Sequence, residues 1–367
     1  MVGRAKGVPV SAIGKRWSSV ILGLGVSGVA LWYLFHRDLS GVRDELLGAR
    51  YVAVLPCVVL IVVGLGLRAL RWRVLLGERL SARHSFHILN VSYFVNGVLP
   101  LRVGELARAA LAARLDPPVP VFTALSTIVV ERLLDTMAVF ALIGLTLAIL
   151  PTGLEIGVMG AALGVGTIIG VVVLLAVAAR PRWAHTLLNT LACVLPPLRS
   201  ERLHAWLDHA LDGITPLANP RTAALAFGWT ALAWATSVMA GYVLLYAIFE
   251  TPTWAASLAM VALASFAIAV PAVPGNLGPF EAAIVFALAS TGLVAHPTDP
   301  PAVAFALLLH AEGLMVYIVL GLIGLWAEGV SLGELVSATR KLRGNSSATL
   351  QPPAQSVTLE ARGGDNE

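Results

Sequence analysis

The chain has 367 residues, of which 57% are hydrophobic and 13% charged, with a formal charge of +4 and two cysteines, Cys57 and Cys193. Soluble domains carry roughly 25% charged residues, so this composition excludes a water-soluble globular protein. The lone, distant cysteines exclude a disulfide scaffold and a cysteine-based zinc site, and long uncharged runs rather than alternating residues exclude a β-barrel, leaving an all-α polytopic integral membrane protein.

The first apolar stretch, roughly 17 to 35, follows Arg4, Lys6, Lys15 and Arg16. It is longer than a signal-peptide core and no clear small-residue cleavage site follows, so a retained span is expected. A loop over 36–50 leads to a second span at 51–67, after which Arg68, Arg71 and Arg73 beside Trp72 read as interfacial anchors. Residues 85–133 are apolar but interrupted by Pro, Gly and charged groups. Spans at 134–150 and 156–179 come next, followed by Arg180, Arg182, Arg199 and Arg202. Leu203, Trp206, Leu207, Ala210, Leu211 and Ile214 recur at helical spacing and predict a linker helix on the interface. A span at 222–248, a second interrupted region at 253–294 and a last span at 301–327 complete the pattern.

The transmembrane domain therefore covers 1–330, and 331–367 forms a cytoplasmic, largely disordered tail rich in Ser, Gly, Pro and Gln. The connections near 151–155, 249–254 and 295–300 contain no Lys or Arg, whereas the other loops are basic. By the positive-inside rule both termini are cytoplasmic, with the protein in the cell membrane. About six full spans fit that orientation only if each interrupted region returns to the side it entered from. The 36–50 loop, with Arg37, Arg43 and Arg50 on the outer side, is the exception.

Both interrupted regions contain Pro-x-x-x-Gly followed by a glutamate: Pro100 to Gly104 with Glu105, and Pro274 to Gly278 with Glu281, with Gly275 and Asn276 in between. Proline removes a helix N–H and glycine tolerates unusual backbone, so each segment breaks a helix at membrane depth. Similar breaks in halves of opposite topology predict two re-entrant broken-helix hairpins in an inverted repeat, with a binding site where they meet. Charges cluster there: Arg102, Glu105 and Arg108 at the first break, and Glu131, Arg132 and Asp135 downstream, with Arg132 within reach of Asp135. Glu131, Arg132 and Asp135 read either as a packing clamp or as a polar path; a functional role is favoured for the cluster at the break. Between Arg221 and Arg340 there is no Lys or Arg, so Glu281 and Glu312 need a partner from the first half, a substrate cation or a proton. His310 and Asn96 are secondary candidates.

No phosphate-binding loop, metalloprotease helix or serine nucleophile elbow is present, and the basic residues track the membrane, so no cofactor, metal site or nucleic-acid partner is expected. The runs Arg71-Trp72-x-x-Leu75-Leu76, Asn96-Gly97-Val98-Leu99-Pro100-x-Arg102-x-Gly104-Glu105-x-x-Arg108, Glu131-Arg132-x-x-Asp135 and Pro274-Gly275-Asn276-Leu277-Gly278-Pro279-Phe280-Glu281 resemble, in this order, the flippase-like transmembrane family, which includes the membrane half of lysylphosphatidylglycerol synthase. The resemblance covers nearly all of the chain up to about residue 330. It implies a lipid translocase, flippase or scramblase, moving an aminoacyl-phospholipid or a lipid-linked sugar between leaflets. The synthase's aminoacyl-transferase half is missing here, so the chain is expected not to be an enzyme and to work beside a separate lipid-synthesising one. The family often carries an arginine near a tyrosine in the last helix, where this sequence has His310-Ala311-Glu312-Gly313 before Tyr317.

The residues mark a polar path along Arg102, Glu105, Arg108, Glu131, Arg132, Asp135, Asn276 and Glu281, and the resemblance implies that a lipid headgroup travels along it. Arginines there can grip a phosphate, and carboxylates an amino group or a coupling proton. The alternatives are a membrane-embedded lipid-modifying enzyme, a transporter of small soluble solutes and an accessory scaffold for a glycosyltransferase.

Overall fold

A computed structural model describes residues 25–34, 38–98, 103–150, 154–194, 208, 211, 213–269, 274–335 and 337. Among these, every regular element is helical. In chain order they are α1 Gly25–Leu34, α2 Leu39–Gly48, α3 Val54–Leu75, α4 Ala82–Val98, α5 Gly104–Ala112, α6 Val121–Ile149, α7 Leu154–Ala179, α8 Pro181–Val194, α9 Pro220–Leu245, α10 Trp254–Ala269, α11 Pro279–Ser290 and α12 Pro300–Ala327. Four described helices, over Tyr51–Leu75, Val158–Ala179, Pro220–Leu245 and Pro300–Ala327, are long and apolar enough to cross a membrane. Large side chains such as Val165, Ile168, Ile169 and Val172 on α7 are exposed, as a lipid-facing helix requires.

Helix starts are set by local chemistry. Pro220 and Pro300 occupy first-turn positions where their missing N–H costs nothing, and the Asn219 side chain accepts from Arg221 N and Thr222 N. The 36–50 segment, expected as a loop, contains α2. Asp38 caps it by accepting from Gly41 N at 2.8 Å, and the Gly41 amide and Ser40 hydroxyl hold its carboxyl below the usual range.

Two other boundaries move. The span expected at 51–67 continues to Leu75, because Arg68 and Arg71 are accommodated by neighbouring helices rather than by the interface. The span expected at 134–150 is the second half of the 29-residue α6, so the interrupted region 85–133 shrinks to α4, the break and α5. Of the expected interfacial linker helix only residues 208, 211, 213 and 214 are described, and Leu211 and Ile214 are buried. The tail from 338 onward lies outside the described residues.

The two ends of the molecule can be told apart by their contacts. At one face Arg50 donates to the Phe249 and Ala247 carbonyls, both at 2.8 Å, and a β-carbon on Gly41 would lie 2.9 Å from Pro300 Cγ. At the other, His84 at the start of α4 meets Glu328 just beyond α12 at 2.9 Å. Thus α4 leaves from the Glu328 face and α10 from the Arg50 face. Helix α3 runs between them against α9, and α4 packs along α12.

The break after α4 is closed by Asn96, whose Oδ1 accepts from Gly104 N at 2.8 Å and so satisfies the first amide of α5. A β-carbon at Gly104 would collide with the Ser92 carbonyl and the Asn96 side chain, whereas Gly97, one residue beyond Asn96, has open space around it. Gly104→Ala should therefore lower stability by about 1 to 3 kcal/mol while Gly97→Ala changes it little. Thermal unfolding of the purified variants checks this; equal midpoints would mean that the break does not need the close approach.

Candidate functional site

Four helices bring polar side chains into one layer inside the bundle. Helix α3 supplies Arg68, Arg71 and Trp72, and α5 supplies Glu105 and Arg108. Helix α6 supplies Thr127, Glu131, Arg132 and Asp135, and α9 supplies Thr230, Trp234 and Ser237. The spacing does the aiming: Glu131 and Asp135 are one turn apart on α6, and Thr230, Trp234 and Ser237 recur on one side of α9.

At the centre lies Arg71, 3% exposed. Its Nη1 and Nη2 reach Asp135 Oδ1 and Oδ2 at 2.6 and 3.2 Å, a forked pair, while Nη1 also lies 3.2 Å from Thr230 Oγ1 and Nε 3.8 Å from Glu131 Oε1. Asp135 is further held by the Trp234 indole N–H at 3.1 Å. Arg108 Nη1 binds Glu131 Oε2 at 2.6 Å, and its guanidinium carbon sits 3.9 Å from the ring centroid of Trp72. Trp72 in turn donates to Thr127 Oγ1 at 3.2 Å.

Buried Arg71 Nε, Arg108 Nε and Nη2, and Glu131 Oε1 make no hydrogen bond among the described residues. Charge attraction across short distances, not full hydrogen-bond satisfaction, holds the centre of the layer. At its exposed flank Arg132 Nη2 pairs with Glu105 Oε1 at 2.8 Å. Arg68 makes no ion pair among the described residues; its Nη2 lies 3.3 Å from Ser237 Oγ and its guanidinium 5.5 Å from the Trp234 ring centroid.

Beside this layer opens an almost wholly apolar cavity of about 760 Å³ between α6, α7, α9 and α10. Thr230 and Trp234 belong to both layer and cavity, so a charged region and an oily one share a wall.

A second polar centre lies at the other break. Gly275, Asn276 and Gly278 have φ of 74°, 58° and 96°, which turns the chain sharply before α11. Glu281, 1% exposed, accepts from Gly278 N at 2.7 Å and contacts His310 Nδ1 through its other oxygen. The Phe280 ring covers His310, with centroids 4.8 Å apart. A β-carbon at Gly275 would lie 3.5 Å from the Gly97 carbonyl and 3.9 Å from His310 Nε2, so the second break lies beside the last turn of α4. Glu312 is 3% exposed and neither of its oxygens has a hydrogen-bond partner among the described residues.

The layer gathers Glu105, Arg108, Glu131, Arg132 and Asp135 as one cluster, and places Glu281 apart from it with His310. Pro100 and Arg102 fall outside the described residues. One expected pairing differs: Arg132 faces Glu105 rather than Asp135. Glu281, expected to face an arginine of the first break, meets His310 from its own half while Arg108 is held by Glu131; Arg102, the first of those arginines, lies outside the described residues. A side chain three residues away on one helix competes poorly with a partner pre-aimed by a neighbouring helix. Asn276 serves the turn by taking left-handed backbone, which asparagine tolerates better than most residues. Arg68 and Arg71, read as interfacial anchors, are layer residues; their three-residue spacing on an unbroken helix is the signal for this. Thr230 and Trp234 carry no such signal in an apolar span.

The sequence model of the family described as lysylphosphatidylglycerol synthase TM region matches residues 20–321. No curated protein matches the chain.

Proposed function

The chain belongs to the family of the lysylphosphatidylglycerol synthase TM region, a multi-pass membrane family with a lipid-related function, and from that premise we propose that it moves a polar-headgroup phospholipid between the leaflets of the cell membrane. The observation that carries the reading is the shared wall of the charged layer and the apolar cavity, because a lipid in transit must keep its headgroup solvated by fixed polar groups while its tails stay in oil. Layer and break residues then act by binding and guiding rather than by making or breaking bonds, and the headgroup comes from a separate lipid-synthesising enzyme.

The hairpin reading has its own support. The pairs α4–α5 and α10–α11 start from opposite faces, and Gly275 in the second break lies beside Gly97 at the end of α4, as two re-entrant hairpins in an inverted repeat would place them. With Arg73, Arg79 and Arg83 near the Glu328 face, that face is taken as cytoplasmic, together with both termini.

Purified protein in liposomes should equilibrate a tail-labelled phospholipid between leaflets without any nucleotide, since the sequence holds no ATP-binding loop. Leaflet-resolved quenching measures it. A strict need for ATP, or a rate equal to that of protein-free vesicles across a panel of headgroups, would overturn the proposal.

A further inference from the structure

The polar layer is not charge-balanced. Among the described residues it holds four guanidiniums, of Arg68, Arg71, Arg108 and Arg132, but three carboxylates, of Glu105, Glu131 and Asp135. Arg71, Arg108 and Arg132 each have a carboxylate within 2.8 Å. The excess charge therefore resides on Arg68, which is half-buried, touches a hydroxyl and an indole face, and shares only at longer range the Asp135 carboxylate that Arg71 grips. An arginine held inside a membrane-spanning helix without an anionic partner is costly unless an anion completes it.

Arg68 also stands at a particular place. Its two contacts, Ser237 and Trp234, flank the wall of the apolar cavity, which Trp234, Ala235 and Val238 line. The cavity runs along α6 from Leu134, beside the layer, to Ile149, and reaches Trp254 at the start of α10. Fifteen residues of helix give it a length of about 22 Å at roughly 1.5 Å per residue. Its volume of about 760 Å³ falls within the range of roughly 300 to 1,000 Å³ typical of small-molecule sites. A positive charge behind the wall of a long oily slot, held by Trp234 and Ser237 within the stretch of α9 that bounds it, is complementary to one kind of molecule, an anion carrying an alkyl chain.

We propose that Arg68, with Ser237 and Trp234, seats the phosphate of a glycerophospholipid whose acyl chain lies in the cavity between α6, α7, α9 and α10. The proposal deepens the translocase reading and rests on it for the lipid's onward movement, but the seat itself is a binding site. The guanidinium grips two phosphate oxygens, Ser237, whose own proton goes to the Ala233 carbonyl, steadies the guanidinium by accepting from Nη2, and the Trp234 ring limits hydration of the pair. The tail then points toward the Arg50 face. That is the orientation of a lipid belonging to the leaflet on the Glu328 side, so this conformation is loaded from that leaflet.

The test uses the full chain in nanodiscs with two probes bearing the same diazirine acyl chain, a phosphatidylglycerol and the diacylglycerol that lacks its phosphate. Photolabelling by the phosphatidylglycerol probe should map to α7 and α9 and fall at least about tenfold in Arg68→Gln, while Arg68→Lys keeps a third or more of the signal. Ala231→Trp, an exposed cavity position, should abolish labelling at unchanged thermal stability. Glycerol 3-phosphate, which has the phosphate and no chain, should not compete at millimolar concentration; competition would assign the site to free phosphates and overturn the lipid seat. Equal labelling by both probes, or Arg68→Gln labelling like wild type, would also overturn it. Flipping in liposomes separates the two claims: specific labelling without transport removes the translocase and keeps the seat, and transport without specific labelling removes the seat and keeps the translocase.

Discussion

Arg71→Gln is expected to destabilise the protein by about 3 to 5 kcal/mol, the usual consequence of removing one partner from a buried ion pair. Arg71 supplies two of the three hydrogen bonds to the Asp135 carboxylate and sits 3.8 Å from Glu131. Without it, Asp135 retains the Trp234 indole and Glu131 retains Arg108, so two carboxylates share one close cation. The thermal midpoint in detergent should fall on the order of 10 °C, and transport should be lost. Lysine should rescue only partly, because an ammonium is a point charge and cannot span both carboxylate oxygens. Arg71→Gln combined with Asp135→Asn should be milder than the sum of the single changes, since neither charge is then left alone. A single variant with wild-type midpoint and transport would show that the layer does not depend on this pair.

Glu281→Ala should be comparably severe, at about 3 to 5 kcal/mol, for a different reason. One carboxylate oxygen closes the start of α11 at Gly278 N and the other holds His310, so the substitution uncaps a helix and strands a largely enclosed imidazole together. A double-mutant cycle with His310→Ala should show a coupling of about 0.5 to 3 kcal/mol, whereas cycles with Arg108→Gln and Arg132→Gln should be additive because those arginines have partners elsewhere. Coupling to either arginine and none to His310 would restore the cross-repeat pairing that the sequence suggests.

That contrast shows where sequence reading stops. The broken helices were legible because Pro, Gly and a following Glu have few other uses in an apolar stretch, and a buried charge at membrane depth announces itself by its cost. Hence Glu105, Arg108, Glu131, Arg132 and Asp135 could be singled out together. Who pairs with whom was not legible. It depends on the rotation of α3 against α6 and α9, which no local pattern encodes: Arg71 lies 64 residues from Asp135, and Trp234 lies 99 from it. Arg68 and Arg71 were misplaced because the drop in hydropathy after residue 67 resembles a membrane boundary, although α3 continues to Leu75. His310 was overlooked as the partner of Glu281 because an imidazole is not counted among formal charges.

The three charges of α6 bear on how the chain is made. Glu131, Arg132 and Asp135 find their partners on three other helices, and of these α3 and α5 precede α6 in synthesis while α9 follows it. At about 2.5 to 3.5 kcal/mol for a charge at a helix centre, α6 enters the bilayer most readily where α3 and α5 already wait beside the insertion channel to take Glu131, Asp135 and Arg132 from it. The order of the helices in the gene is thus also an order of neutralisation for the polar layer, in which the charges of α6 are met by their counter-ions before the ribosome has delivered the last third of the protein.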